Sequence, residues 1–317
     1  MDTDQISGIH HITAIASDPQ RTLDFYTRVL GLRLVKLTVN FDDPGTYHFY
    51  FGDPIGSPGT ILTFFPWPHV QRGRIGTGQV TAIAFDIPAG SLDFWLARLH
   101  DHAMHVAVED RFGDPVVRLE DPDGLPLELI GVAGAANRPI AASHSIAPEH
   151  ALRGFHSATL SERDSAATER LLTAMGFTRV AEAADRIRYQ GSAPGASTVD
   201  ILREPKRPGG ELGAGIVHHI AFRTPTDAQQ ERWRRELAPH VRGMSPIMDR
   251  VYFHSIYFRE PGGVLFEIAT DPPGFATDEP VEHLGERLML PPWLEPSRGE
   301  LEPRLPRLTR SDLSVQT

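Results

Sequence analysis

Gly215-Ile216-Val217-His218-His219-Ile220-Ala221-Phe222 decides the fold, because its shape is already present near the N-terminus as Gly8-Ile9-His10-His11-Ile12-Thr13-Ala14. Each segment is a His-His pair opening a β-like apolar run. Downstream of the second lies Gly262-Gly263-Val264-Leu265-Phe266-Glu267-Ile268, a strand-like run carrying a single carboxylate. Two imidazoles and one carboxylate are the ligand set of a non-haem Fe(II) site. Whether the fold brings them together depends on what surrounds each segment.

Around the first pair, Ile9 to Ser17 reads as a strand and Asp18-Pro19 as the N-cap and first-turn proline of a helix. Leu23, Tyr26, Val29 and Leu30 give that helix an apolar face, and Gly31 stops it. Strands are expected at 32–39, 47–52 and 60–65, with turns at Asp42-Asp43-Pro44-Gly45 and Ser57-Pro58-Gly59. Tyr47, Phe49, Tyr50 and Phe51 are expected to alternate between core and surface.

This βαβββ pattern recurs. Gln79 to Ile87 is a strand, Ser91 caps a helix carrying Phe94, Trp95 and Leu99, and Asp121-Pro122-Asp123-Gly124 turns into Leu125 to Ile130. A third unit begins at Gly154-Phe155-His156-Ser157, and its helix ends at Met175-Gly176-Phe177. The fourth runs from Ile216 to Thr270 and closes with Glu260-Pro261-Gly262-Gly263. The expectation is an α+β chain of four βαβββ modules, paired at 1–133 and 151–270. An Ala-, Pro- and Ser-rich linker at 134–150 separates the pairs. A proline-rich irregular tail at 271–317 is expected to pack on the surface, with disorder at its very end.

The repeats supply an internal control on the ligands. The His11 position is Ser157 in unit three, and the His219 position is Ala82 in unit two. Counting six residues on from each turn proline, the Glu267 position is Phe64, Glu128 and Asp200 in units one, two and three. Units one and four therefore hold His11, His219 and Glu267 between them, with Phe64 leaving a fourth place without a ligand. Units two and three form a second, empty cup, in which Glu128 and His156 are structural. Alternation along a strand admits one His of each pair to the cup. It puts His11 and Thr13 on one face and His10 and Ile12 on the other.

Composition narrows the chemistry. A net charge of −10 argues against nucleic acid, which selects a basic face. The absence of cysteine excludes disulfides and thiolate ligands, so a metal is held by nitrogen and oxygen, which favours Fe(II), Mn(II), Zn(II) or Ni(II). No apolar run is long enough for a bilayer span, and Met1-Asp2-Thr3-Asp4 has neither region of a signal peptide. A cytoplasmic protein that binds no membrane is expected.

At these residues the chain resembles the vicinal oxygen chelate superfamily, in which βαβββ units form two curled mixed β-sheet cups around a metal. Within it, the chain is similar to the hydroquinone ring-cleaving dioxygenases, which act on chloro-, dichloro- and methylhydroquinone. The likeness runs through Ile9 to Thr13, Tyr47-His48, Pro58-Gly59-Thr60, Glu149 to His156, Arg250-Val251-Tyr252-Phe253 and Phe266-Glu267. It implies Fe(II), less often Mn(II), on His11, His219 and Glu267, ringed by His10, Thr13, His218, Arg250 and Tyr257. It further implies a small aromatic substrate and O2 as partners, and leaves a homo-oligomer open. On this reading His10 or His218 takes a proton from the bound hydroxyl, and Arg250 and Tyr257 stabilise developing anionic charge. His254 matches no role in the family. A glyoxalase-like lyase with four protein ligands, a catechol-cleaving enzyme and a non-catalytic binder of aromatic ligands are the competing functions.

Overall fold

Each repeat folds as a strand, a helix and three further strands in the computed structural model, which describes residues 5–138, 140 and 146–309. Module one comprises β1 (Ile9–Ala16), α1 (Pro19–Asp24), β2 (Arg33–Asn40), β3 (Asp43–Gly52) and β4 (Ile61–Pro66). Module two comprises β5 (Gln79–Pro88), α2 (Leu92–Asp101), β6 (Ala107–Arg111), β7 (Asp114–Glu120) and β8 (Pro126–Val132). Module three has β9 (Phe155–Glu162), α3 (Ala166–Ala174), β10 (Thr178–Ala183), β11 (Arg186–Gln190) and β12 (Thr198–Arg203). Module four has β13 (Ile216–Thr224), α4 (Asp227–Leu237), β14 (Met248–Asp249), β15 (Phe253–Arg259) and β16 (Leu265–Pro273).

Two eight-stranded mixed sheets result, and each joins one early module to one late module. One has the order β14-β15-β16-β13-β1-β4-β3-β2, the other β10-β11-β12-β9-β5-β8-β7-β6. The antiparallel seam β1·β13 therefore sets the first His pair beside the second. An α+β fold of two curled mixed-sheet cups is what the repeats and the resemblance led us to expect.

Local sequence explains several boundaries. The Asp18 carboxylate accepts from the Arg21 N–H at 2.8 Å, and Pro19 occupies the first turn where a missing N–H is harmless. Gly31 takes φ 70°, a left-handed conformation that costs glycine little. Ser91 does precede α2, but its hydroxyl caps nothing. It donates to Glu149 O at 3.0 Å and meets His150 Nδ1 at 3.0 Å, tying the linker exit to the helix.

Three expectations are corrected. The β2–β3 hairpin closes at Asn40 opposite Asp43, so Phe41-Asp42 make the turn and the expected Asp42–Gly45 turn is mostly strand. The Asn40 side chain holds that tighter turn by accepting from the Asp42 N–H at 3.0 Å. Tyr47, Phe49, Tyr50 and Phe51 are all buried, because both faces of β3 are covered. Phe51 packs towards Tyr26 and Phe64, while Tyr50 packs against Tyr252 and Phe275. The segment after β16 is irregular, with short 3-10 turns and a single α-helical turn, α5 (Arg298–Leu301), yet it is built into module one instead of lying on it. Phe275, Leu284 and Leu290 are buried, and the Met289 N–H donates to Leu37 O at 2.9 Å. Lys36, fully buried in β2, reaches Asp278 at 2.6 Å and Glu279 at 2.5 Å. The disorder expected at the very end falls mainly on 310–317, outside the described residues. Among the described residues, no helix is long and apolar enough to cross a membrane.

Candidate metal centre

The seam between β1 and β13 carries two β-bulges, and they build the site. Ile9 lies opposite Phe222 and His11 opposite Ala221, so His10 is an extra residue in β1. Thr13 lies opposite His219 and Ala14 opposite Val217, so His218 is the extra residue in β13. A bulge interrupts alternation and re-aims the side chain it carries. The expectation that His10 faces away from His11 is overturned for that reason: the two Nδ1 atoms are 2.9 Å apart, and those of His218 and His219 are 2.8 Å apart.

Glu267 on β16 lies beside Ala221 of β13 and Tyr257 of β15. Its Oε2 is 3.2 Å from His11 Nε2 and 2.9 Å from His219 Nε2, and the two Nε2 atoms are 3.3 Å apart. Among the described residues this is the one group of its kind able to hold a metal ion, and all three members are buried. Ligand atoms about 2.1 Å from one ion and at right angles stand about 3.0 Å apart, close to these separations. Glu267 Oε2 meets no donor at hydrogen-bonding geometry although it is buried, while Oε1 accepts from the Ser255 hydroxyl. Three converging acceptors around an orphaned carboxylate oxygen fit a divalent cation.

The outer imidazoles define the protons. If Nε2 of His11 and of His219 present lone pairs, their Nδ1–H groups donate to Nδ1 of His10 and His218. Those outer lone pairs are then engaged, which removes His10 and His218 as bases at Nδ1. Burial foremost, and the neighbouring His11, lowers His10 well below the usual imidazole range. Burial and His219 push His218 down to about 3. Burial alone would raise the Glu267 carboxyl, but His11 and His219 lower it well below the ordinary range.

The register corrects the identity of the fourth place. In β16, Glu267 sits beside Ala221, which faces His11; the pseudo-symmetric partner of Ala221 is Thr13, and its β4 neighbour is Thr63. Counting from the turn proline had given Phe64, which instead packs into the core against Tyr26. The conclusion that no charged fourth ligand exists stands, with Thr63 as its residue. The same symmetry pairs Tyr50, opposite Thr63, with Tyr257, opposite Glu267.

In the second cup arginines stand where the first has imidazoles. Arg111 grips Glu128 at 2.5 and 2.7 Å, and Arg188 grips Asp200 at 2.8 and 2.9 Å, with Arg186 adding a contact at 3.1 Å. Guanidinium groups there supply the positive charge that the carboxylates need. His156 binds its neighbour Ser157 Oγ at 2.9 Å.

A cavity of about 440 Å3 opens over the triad. His11 and His219 form its floor, and His218, Arg250 and Tyr257 line it. Arg250 Nε donates to Tyr257 Oη at 3.1 Å and its other arm reaches Asp42 at 3.0 Å. Burial, then the Glu267 charge, raises the Tyr257 phenol, so it keeps its proton. Thr13 lies beside Thr63, whose hydroxyl is 2.8 Å away. His254 is elsewhere, binding Asp227 at 2.6 Å on the far side of β15, which accounts for its lack of a role. Sequence reasoning missed His48 and Tyr50, which also line the cavity. The signal for Tyr50 was its equivalence to Tyr257, hidden by the miscounted register.

The glyoxalase/bleomycin resistance protein/dioxygenase superfamily matches residues 8–129 and 141–268. The chain belongs to this superfamily. It is 48% identical over 297 residues, 93% of this chain and 94% of the other, to MhqO of Bacillus subtilis, named as a candidate ring-cleaving dioxygenase. It is 35% identical over 309 residues, 94% and 95% of the two chains, to the chlorohydroquinone/hydroquinone 1,2-dioxygenase of Sphingobium indicum. A crystal structure of a candidate dioxygenase from Bacillus subtilis superposes with a TM-score of 0.93 at 46% identity, covering 96% of this chain and 98% of that one. These relatives support a ring-cleaving dioxygenase, and the resemblance read from the sequence is borne out.

Proposed function

We propose that the protein is an Fe(II)-dependent dioxygenase that opens the ring of a hydroquinone, methyl- and chloro-substituted rings included, with Mn(II) as the alternative metal. The observation that carries this reading is the convergence of His11, His219 and Glu267, with the two imidazoles lining an aromatic-walled cavity and the carboxyl buried against them. A bound divalent ion would supply acidification of a coordinated hydroxyl and a meeting place for O2.

The residues of the chain do the rest. Three protein ligands leave room for substrate and O2 together. Because hydroquinone hydroxyls are para, only one reaches the floor, and the cavity must hold the ring by its faces. Phe65, Phe253 and Trp67 supply apolar surface for this. Arg250 donates to Tyr257 Oη, leaving the phenolic proton free to point into the cavity. Together they stabilise negative charge developing on the ring or on oxygen. His10 and His218 act by fixing the ring orientation and tautomer of the two ligand imidazoles. A four-ligand lyase is disfavoured by Thr63 at the fourth place.

The test is anaerobic reconstitution with Fe(II), followed by oxygen uptake with hydroquinones and catechols side by side. Uptake with a hydroquinone and formation of the ring-opened product is expected. Uptake with catechols alone would reject the substrate while leaving the triad standing.

A further inference from the structure

The position that pseudo-symmetry marks for a fourth ligand is the middle of a hydrogen-bonded chain. Tyr50 Oη meets His48 Nδ1 at 2.9 Å, His48 Nε2 meets Thr63 Oγ1 at 2.9 Å, and Thr63 Oγ1 meets Thr13 Oγ1 at 2.8 Å. Tyr50 and His48 line the cavity at one end. Thr13, at the other, lies on the His11 face of β1, in register with His219. Every member can both donate and accept. The chain can therefore be polarised in either direction, and a proton entering at one end and leaving at the other reverses it.

We propose that Tyr50, His48, Thr63 and Thr13 form a proton relay that takes the proton shed by a hydroxyl of the bound ring and returns it beside the ligand triad. The proposal rests on the hydroquinone reading above. In that reaction every atom of the hydroquinone and both atoms of dioxygen are kept in the acyclic product: the ring carbons are oxidised, dioxygen is reduced, one ring C–C bond breaks and no proton is gained or lost overall. A proton released when the hydroxyl binds must come back before the product leaves. His10 and His218 cannot carry it at Nδ1, since those lone pairs are engaged by the ligand imidazoles. In the relay, the hydroxyl proton passes to Tyr50 Oη as the Tyr50 proton passes to His48 Nδ1. The Nε2 proton of His48 then moves to Thr63, that of Thr63 to Thr13, and that of Thr13 to an anionic oxygen of the ring-opened product, which restores the proton count.

A relay imidazole must rest neutral, with one nitrogen protonated and one free. Burial above all, with His11 and His219 nearby, holds His48 well below the usual range. The His48 ring is also fixed in plane, lying 4.0 Å from the Tyr50 ring and 4.4 Å from that of Phe65. A purely structural chain would need the same bonds, so the test must read proton movement.

Thr63→Val cuts the relay at its centre without touching a ligand or an aromatic wall, and Thr63→Ser restores the hydroxyl. With Fe(II)-loaded protein, Thr63→Val is expected to lower kcat by about 10- to 100-fold and to raise the solvent deuterium isotope effect on kcat. Iron content and the KM for hydroquinone should stay within about twofold of the wild type, and Thr63→Ser should recover most of the turnover. In the metal-free wild type near neutral pH, 15N chemical shifts of His48 should show a neutral ring, and Thr63→Val should shift its Nε2 signal. An active wild type with Thr63→Val unchanged in kcat and isotope effect overturns the relay alone. A doubly protonated His48, or an Nε2 signal that Thr63→Val does not move, also overturns it. A wild type that opens no hydroquinone overturns both the functional reading and the relay built on it.

Discussion

Tyr257 accepts a hydrogen bond from Arg250 at the cavity wall, and on the proposed reading its own proton meets the anion that forms there. Tyr257→Phe and Arg250→Met are each expected to lower kcat by about 10- to 100-fold, as when one preorganised donor is lost. The KM for the aromatic substrate should change much less, which is the pattern of contacts made mainly in the transition state. Steady-state kinetics decide it, and unchanged turnover in both variants removes them from the mechanism. The cluster of His11, His219 and Glu267 was legible in the sequence because four repeats showed which modules carry these residues. The imidazoles behind them were misplaced on the strand because a bulge leaves no mark in hydrophobic periodicity. His10 and His218 point where they do through a slip in pairing between strands far apart in the chain.

Registers between strands decide more than the strands themselves. Turn residues such as Asp121 to Gly124 located the modules correctly, yet a count from the turn proline chose Phe64 where the parallel ladder with β1 chooses Thr63. A one-residue slip sends a side chain to the opposite face, so the error exchanged a cavity residue for a core residue. The segment after β16 was misread for a related reason. Its proline-rich composition suggested a surface tail, while its anchor is Lys36, a buried cation whose partners Asp278 and Glu279 lie far along the chain. Lys36→Met should leave the Glu279 carboxylate buried and unpaired and cost about 3–5 kcal/mol of stability in urea unfolding. A loss below about 1 kcal/mol would mean that the pair does not hold the segment in place.

At the scale of the molecule, two pseudo-equivalent cups differ in what stands beside their carboxylates. In one, Glu128 and Asp200 are neutralised by Arg111, Arg186 and Arg188; in the other, Glu267 stands with His11 and His219 in a group that could hold a metal. The two sheets also meet at a pair of carboxyl groups. Glu162, at the end of β9, is buried close against the turn at Gly262 and beside Glu260 of the other sheet. Burial first, then the Glu260 charge, pushes Glu162 up to about 9 from the ordinary 4.5. Its folded-state proton is held more tightly than in the unfolded chain, so this contribution is intact below about pH 4.5 and is lost as pH rises towards 9. Glu162→Gln should remove that loss and stabilise the protein at pH 8 by on the order of 1–3 kcal/mol, with little effect at pH 5. Equal stability of the two proteins at both pH values in urea unfolding would show that Glu162 does not carry the proton.

The central claim is that the first and last modules together hold the metal while the middle two do not. Iron bound per chain, measured after anaerobic loading with Fe(II) and desalting, tests it most directly. Wild type and Glu128→Ala should each retain close to one iron, and His11→Ala, His219→Ala and Glu267→Ala should retain almost none, with folding of every variant checked by circular dichroism. Retention of iron by a folded His219→Ala variant, or its loss from a folded Glu128→Ala variant, would contradict the account.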